Sequence, residues 1–465
     1  MIYLQSFFGK CQWAASRIWN DKCFLPILFV FSAIAIASGL QLTAMFVLVA
    51  LSAFMLIFCD DLLSIAGPVF CILLLSIRFY VDYSVLKPYM WYAIIPFALA
   101  LVFNLVYYRR PFVKGRFTAP MIAVAFALLF GGIGTIPKEE YFRPMSLYYS
   151  VGLGVGMLAL YLIFISRLQN ERQYDRIERL AEIMYVAGLI AAFTVLVFYI
   201  HNFDRFLEKG SVLYYKPRNY IASVILMALP SCCLLVNRKR IHLLGFVVMC
   251  TALCFNGSRS GLLFGAIIGF ICGIYICYLR KESIKEHRWY NWVFLLAVGL
   301  LSYIGVKYLP VLYSSRLIDG NFISSSETRV SFIELGLKDF MDYPINGIGI
   351  GNMKNLDTFK AFIPGSIVFY HNVIIQVLGS MGTIGVMAYS WIFGERMRLI
   401  ITNLRTPLII FGFSYAAIFA MSMTNPGIFC PFPEAGLITL MFAVMEKESK
   451  KENEEAVSEL MEETA

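Results

Sequence analysis

The chain has 465 residues, of which 59% are apolar, 16% aromatic and only 15% charged, whereas a soluble domain is roughly 45–50% apolar and about 25% charged. With a mean hydropathy of +0.72, this excludes a disordered chain, a fibrous repeat and almost every soluble fold, and leaves a polytopic helical membrane protein. The net charge of +9, from 39 basic and 30 acidic residues, lies between the apolar runs, where it sets membrane orientation and does not point to nucleic acid.

A membrane-spanning helix needs about 20 mostly apolar residues. Runs of that kind fall at Phe24–Leu40, Leu42–Phe58, Leu62–Tyr80, Met90–Tyr108, Ala119–Ile136, Ser146–Ser166, Ala181–Ile200, Asn219–Val236, Ile241–Phe255, Gly261–Leu279, Asn291–Leu309, Asn372–Phe393, Pro407–Met423 and Ala435–Met445. The expectation is an all-α protein of about 14 transmembrane helices, with a range of 11–14 because the second, third and last runs are the weakest. Ala35-Ile36-Ala37 follows a basic flank and an apolar run, as a signal-peptidase site does, but the flank is long and a second apolar run follows at once, so the first span is read as uncleaved.

One set of alternate connections holds 24 of the 39 Lys and Arg residues; of the other 15, six lie in or beside one long loop, leaving nine in the short connections. Long loops cross regardless of charge, so the short-loop bias puts both termini in the cytoplasm. Of the 11 cysteines nearly all lie inside apolar runs or on the N-terminal flank, and no C-x-x-C pair exists, so they read as small core residues and give no metal or redox centre.

The residues from Pro310 to Tyr370 form one large outer loop, too polar to span and too long for a plain connector. Part of it reads as a helix: Ser324-Ser325-Ser326 offers N-caps, Val330, Ile333, Leu337, Phe340 and Met341 share a face, and Pro344 with Gly347-Ile348-Gly349-Ile350-Gly351 ends it. The acidic tail from Glu446 is expected to be solvated or disordered. Residues 1–445 read as a single transmembrane domain, with 310–370 as a loop inside it and 446–465 as a cytoplasmic tail.

The sequence lacks a G-x-x-x-x-G-K-[ST] phosphate loop, an H-E-x-x-H pair and a D-x-D pair, which disfavours nucleotide-driven transport and metal hydrolysis. Arg259 lies in Asn256-Gly257-Ser258-Arg259-Ser260-Gly261, a very short outer connection that the positive-inside bias disfavours for a cation. It is either an interfacial arginine reaching water or part of a site. Arg329 falls in the first turn of the proposed loop helix, against the helix dipole, where an anionic ligand would offset the charge and a solvated surface position would need none. His371 closes the loop, where it is either a satisfied interfacial side chain or a general base. Two guanidiniums suit a diphosphate, and a His suits removal of a proton from a sugar hydroxyl.

These residues resemble the O-antigen ligase and polymerase superfamily. Arg259-Ser260-Gly261-Leu262-Leu263 is similar to its Arg-x-x-x-Leu motif, His371 with Gly382 beyond a ten-residue gap is similar to its His–Gly motif, and Arg329 through Pro344-Ile345-Asn346-Gly347-Ile348-Gly349-Ile350-Gly351-Asn352 resembles its loop signature. Arg218-Asn219-Tyr220-Ile221-Ala222, ahead of Pro230, is similar to an earlier Asn-and-Ala signature but departs from the usual Asn-Pro-Asn. The resemblance covers about Arg218 to Tyr389; the first 200 residues match only as generic spans.

The resemblance implies a GT-C-like fold, no metal and no cofactor, with the site on the outer face of the bacterial cytoplasmic membrane. It implies a glycosyltransferase that uses an undecaprenyl-diphosphate-linked glycan donor and a glycan or lipid-linked acceptor. Arg259 and Arg329 would bind the diphosphate, His371 would activate the acceptor, and Arg218 and Asn219 would assist in binding. A polymerase of O-antigen or another surface polysaccharide is favoured, an O-antigen ligase acting on a lipid A-core acceptor comes next, and a flippase for lipid-linked sugars is the rival from another class. Apart from membrane lipids, neither nucleic acid nor any other partner is implied.

Overall fold

The computed structural model describes residues 2–80, 83–134, 136, 142–168, 174–202, 217–236, 238–278, 321–353, 367, 369–425 and 432–464. Among them every regular element is helical. In chain order the main helices are α1 (Ile2–Asn20), α2 (Phe24–Ser38), α3 (Gln41–Phe58), α4 (Leu63–Leu75), α5 (Met90–Tyr107), α6 (Thr118–Gly134), α7 (Pro144–Arg167), α8 (Arg176–His201), α9 (Arg218–Leu235), α10 (His242–Phe255), α11 (Arg259–Tyr278), α12 (Asn321–Asp342), α13 (Val373–Thr402), α14 (Ile409–Ser422) and α15 (Phe432–Thr464).

Among the described residues seven helices are long and apolar enough to cross a membrane: α3, α5, α7, α8, α9, α11 and α13. The α1–α2 pair, bent by 81°, gives an eighth, and four more apolar helices are shorter, at Leu63–Phe79, Thr118–Ile133, His242–Phe255 and Ile409–Ser422. The sequence therefore places the apolar runs well, but their lengths support seven or eight crossings where about 14 were expected. The expected span Asn291–Leu309 lies outside the described residues.

The chain divides into two compact units. The first holds residues 1–111 and 170–315. Its axis is α8, which packs against α2, α4, α9 and α10. Asp175 caps α8 by accepting from the amides of Ile177 and Glu178 at 2.9 and 3.2 Å, satisfying two of the donors that a helix start leaves open. Leu180, Ala181, Met184, Ile190, Ala191 and Ala192 are fully buried along it, so this helix carries core on all sides, as its sequence lacks a polar stripe.

The second unit holds residues 112–169 and 316–465. Its axis is α13, packed against α6 and α12. This helix is broken at Gly382, whose φ of 60° and ψ of −153° belong to glycine alone. A break inside an apolar helix strands backbone donors and acceptors, which must find partners. The Gly-rich turn supplies them. Ile348 and Gly349 donate to the carbonyls of Gly379 and Ser380 at 2.9 and 2.8 Å, and Thr383 and Ile384 donate to those of Pro344 and Ile345 at 2.8 and 3.2 Å. A Cβ on Gly347 would stand 2.3 Å from Met381 N, and one on Gly382 would stand 2.5 Å from Ile345 C and O. The spacing from His371 to Gly382 and the loop glycines thus describe one joint.

Two local expectations change. The loop helix starts at Asn321, not at the serine run, so Arg329 sits more than two turns inside it and not in its first turn. The apolar stripe expected along one face of this helix is mostly exposed, with Val330 at 53% and Met341 at 70%. The face that packs on α13 carries Phe332, Gly336 and Asp339 instead. Its small and acidic members escape a count of apolar residues. At the other end, the sequence reading begins a tail at Glu446, whereas α15 continues through that residue to Thr464. Glu446 is buried, accepting from the Arg116 amide at 2.8 Å and the Tyr161 hydroxyl at 2.5 Å.

Candidate functional site

The residues singled out in the sequence form two clusters, one in each unit. In the first unit Arg218 opens α9 and Arg259 opens α11. The unfavourable dipole position expected for Arg329 thus belongs to these two arginines, each at the positive end of a helix. Gly257, with φ of 74°, makes the turn between α10 and α11. Ser258 then serves as the helix cap: its Oγ accepts from Gly261 N at 3.1 Å and donates to Asn219 Oδ1 at 2.8 Å. Asn256 Nδ2 donates to the Arg218 carbonyl at 2.6 Å, while its buried Oδ1 has no hydrogen-bond partner among the described residues. The two helix starts close on each other at Ala222 and Gly261, where an added Cβ would stand 2.6 Å from the alanine methyl.

The structure therefore brings Arg218, Asn219 and the Arg259 turn together, although 40 residues separate the two signatures. Paired helix starts with arginine at each favour a negative group, because backbone amides, dipoles and guanidiniums all offer donors.

In the second unit Arg329, on α12, stands beside His371. His371 has φ of 57°, the one described residue other than glycine in the left-handed region. Such backbone costs about 1–3 kcal/mol and persists only where the surroundings fix it. Neighbouring residues hold it here. Tyr370 is fully buried, its hydroxyl donates to buried Asp339 at 2.6 Å, and its amide donates to Gln376 Oε1 at 2.9 Å. The Tyr370 ring lies in a slot between Gly336 of α12 and Gly379 of α13. On the other side Asn372 caps α13, accepting from Ile374 N at 2.9 Å and Ile375 N at 3.2 Å. With both neighbours tied down, the histidine bridges them in a strained conformation.

The His371 ring packs on Phe332, with centroids 5.4 Å apart. Its Nδ1 is buried without a hydrogen-bond partner among the described residues. Burial, aided by the adjacent Arg329 charge, pushes its pKa down from 6.5 to about 4, against a smaller upward pull from a hydrogen bond with Asn425. The ring is neutral at pH 7 and has a lone pair to offer. Burial and the Asp339 charge hold the Tyr370 hydroxyl well above its ordinary range, so it stays a donor.

Arg218, Asn219 and the turn that carries Arg259 thus come together in the first unit, and Arg329 lies within electrostatic reach of His371 in the second. Sequence reasoning missed Tyr370, Asp339 and Asn425. Asp339 left one signal, an acid at helical spacing from Phe332 and Gly336. Asn425 left none, because Thr424-Asn425-Pro426-Gly427 reads as an ordinary span end.

Comparison with known proteins yields one family. Residues 244–390 match the family model described as O-antigen ligase. That segment includes Arg259, Arg329, His371 and Gly382, and supports the O-antigen ligase and polymerase superfamily anticipated from the motifs. No curated protein and no solved structure matches the chain.

Proposed function

We propose that the chain is a metal-independent membrane glycosyltransferase that transfers or polymerises oligosaccharide from an undecaprenyl-diphosphate-linked donor. Catalysis takes place on the outer face of the bacterial cytoplasmic membrane, on a GT-C-like scaffold of about 14 spans with both termini inside. The observation that carries this reading is the buried, neutral His371 beside Arg329, within the segment that matches the O-antigen ligase family.

In this mechanism Arg329 binds the diphosphate next to His371, and Arg259, with Arg218 and Asn219 beside it, is an anion-binding group of the first unit. As the acceptor hydroxyl attacks the anomeric carbon, His371 takes its proton. The anomeric carbon–oxygen bond breaks, and its electron pair leaves with the diphosphate. One displacement at that carbon inverts its configuration. The Arg329 guanidinium stabilises the charge that develops on the leaving group. A base with a pKa near 4, depressed mainly by burial and less by Arg329, is weak in the free protein, and a diphosphate next to Arg329 offsets the smaller, electrostatic part. Donor binding therefore raises the basicity of His371 when a base is needed. Among the described residues no three His, Cys, Asp or Glu side chains gather closely enough to hold a metal ion, and the arginines supply positive charge in this scheme.

Polymerisation is the favoured outcome; the matched family's description, O-antigen ligase, supports the second reading, which we take as ligation to a lipid A-core acceptor. A deletion strain separates them. Loss of polymerase leaves single repeat units on the surface lipid, while loss of ligase leaves full-length polymer on undecaprenyl diphosphate and none on lipid A. Neither phenotype, with wild-type glycan in the deletion strain, would refute the proposed function.

A further inference from the structure

We propose that the first unit carries a glycan-binding cavity, built from Arg78 after α4 and from His201 and Asn202 at the end of α8, which holds an oligosaccharide of the surface polysaccharide. The choice of that oligosaccharide rests on the proposed function; the cavity and its hydrogen-bonding pattern do not.

The cavity has a volume of about 460 Å³, within the range of roughly 300–1,000 Å³ common to small-ligand sites. It lies where the ends of α2 and α8 and the Ser76–Tyr80 turn after α4 meet the start of α3. The bias of basic residues in the short loops puts all four of these places on the outer side. Among the described residues no Asp or Glu lines it.

Arg78 is fixed by the turn between α2 and α3. Its Nη1 donates to Gly39 O at 2.7 Å and to Gln41 Oε1. Gln41 is only 7% exposed and is itself anchored, its Nε2 donating to Ile36 O at 3.3 Å. A guanidinium has five N–H donors. The two on Nη1 are spent on the turn, and the three on Nε and Nη2 have no partner among the described residues.

The rest of the polar lining has the opposite bias. His201 Nδ1 lies 2.9 Å from Val197 O. A carbonyl only accepts, so Nδ1 carries the hydrogen and Nε2 of the neutral ring is an acceptor. Asn202 Nδ2 donates to Phe198 O at 2.9 Å and leaves Oδ1 to accept. Thr194 and Ser38 spend their hydroxyl hydrogens on Ile190 O and Ile34 O, at 2.8 and 2.7 Å, and keep their lone pairs. Leu74 and Leu75 add apolar surface.

This pattern selects its ligand. The occupant must accept from Arg78, donate to several lone pairs and cover the leucines with C–H groups. A sugar, with hydroxyls at its edge and C–H groups on its faces, does all three. A phosphate satisfies Arg78 but brings no hydrogens for the lone pairs, and an acyl chain does neither.

The test uses the full chain in lipid nanodiscs. The probe is the free oligosaccharide released by mild acid from the cell's own undecaprenyl-diphosphate-linked repeat unit, with Kd read by ligand-observed NMR. Arg78→Ala removes the unspent donors, and Ala37→Trp fills the cavity from an exposed lining position. Each should raise Kd by about 10-fold or more. Arg78 also pins the α2–α3 turn, so if Arg78→Ala fails to fold, Ala37→Trp decides alone. Inorganic phosphate should bind at least about 10-fold more weakly than the oligosaccharide. No binding to the wild type, an unchanged Kd in either folded variant, or phosphate bound as tightly as the oligosaccharide overturns the proposal. His371→Ala, altered in the second unit, should bind the oligosaccharide as the wild type does. Oligosaccharide binding that both variants weaken, with no transfer from the lipid-linked form, would refute the proposed function and leave the cavity standing. Transfer with Kd unmoved by either variant would do the reverse.

Discussion

Gly382→Ala is the sharpest probe of the α13 break. The new methyl would stand 2.5 Å from Ile345 C and O and 2.7 Å from Pro344 O, at a φ of 60° that an alanine rarely adopts. The backbone term alone is about 1–3 kcal/mol. The blocking atoms are main chain, held by the bonds from Thr383 and Ile384 to Pro344 and Ile345, so they cannot swing aside as a side chain would. Adding a clash of this kind brings the expected loss to about 2–4 kcal/mol. Gly394 in the same helix is the control, since an added Cβ there meets nothing within 4 Å; Gly394→Ala should stabilise by about 0.5–1 kcal/mol. Thermal unfolding in detergent, followed by intrinsic fluorescence and read with membrane abundance, compares the two. Equal midpoints for the two variants would mean that the glycine break and its clasp by the Pro344–Gly349 turn do not exist.

Three further outcomes follow from the site. Arg259→Lys keeps charge but loses the planar two-pronged donor, so transfer should fall steeply and Arg259→Ala should lose about 10²–10³-fold; near-normal rates in both at normal abundance return Arg259 to a plain interfacial role. With His371 held at about 4, kcat/KM should be flat through neutrality and fall only as pH drops through about 4; Arg329→Gln should move that limb upward, and an unmoved limb removes the coupling. Excess chelator should leave transfer in purified membranes intact, and loss with recovery on added magnesium or manganese would contradict the arginine-only scheme.

The motifs were legible because each is local. The His371–Gly382 gap and the Pro344–Gly351 turn are spacings on one chain, and in the structure they close on each other as one joint. The start of α12 was misplaced by treating Ser324-Ser325-Ser326 as its cap, and the face that packs on α13 went unread because Gly336 and Asp339 are not apolar. The partners of His371 were invisible for a different reason. Tyr370 is held by an acid 31 residues earlier, and Asn425 lies 54 residues after His371, so only tertiary structure brings them to it. The apolar runs that form α4, α6, α10 and α14 were legible, although these helices are shorter than 18 residues.

The most direct measurement is glycan transfer by the purified chain in vesicles that hold one synthetic undecaprenyl-diphosphate-linked repeat unit and a glycan acceptor, compared with His371→Ala at equal abundance. Wild-type protein is expected to extend the acceptor with inversion at the anomeric carbon, and His371→Ala to fall by at least about 10²-fold, the lower end for a lost general base. Equal extension by both proteins, or no extension by a folded wild type, would contradict the assignment of this chain as a His371-dependent lipid-linked glycan transferase.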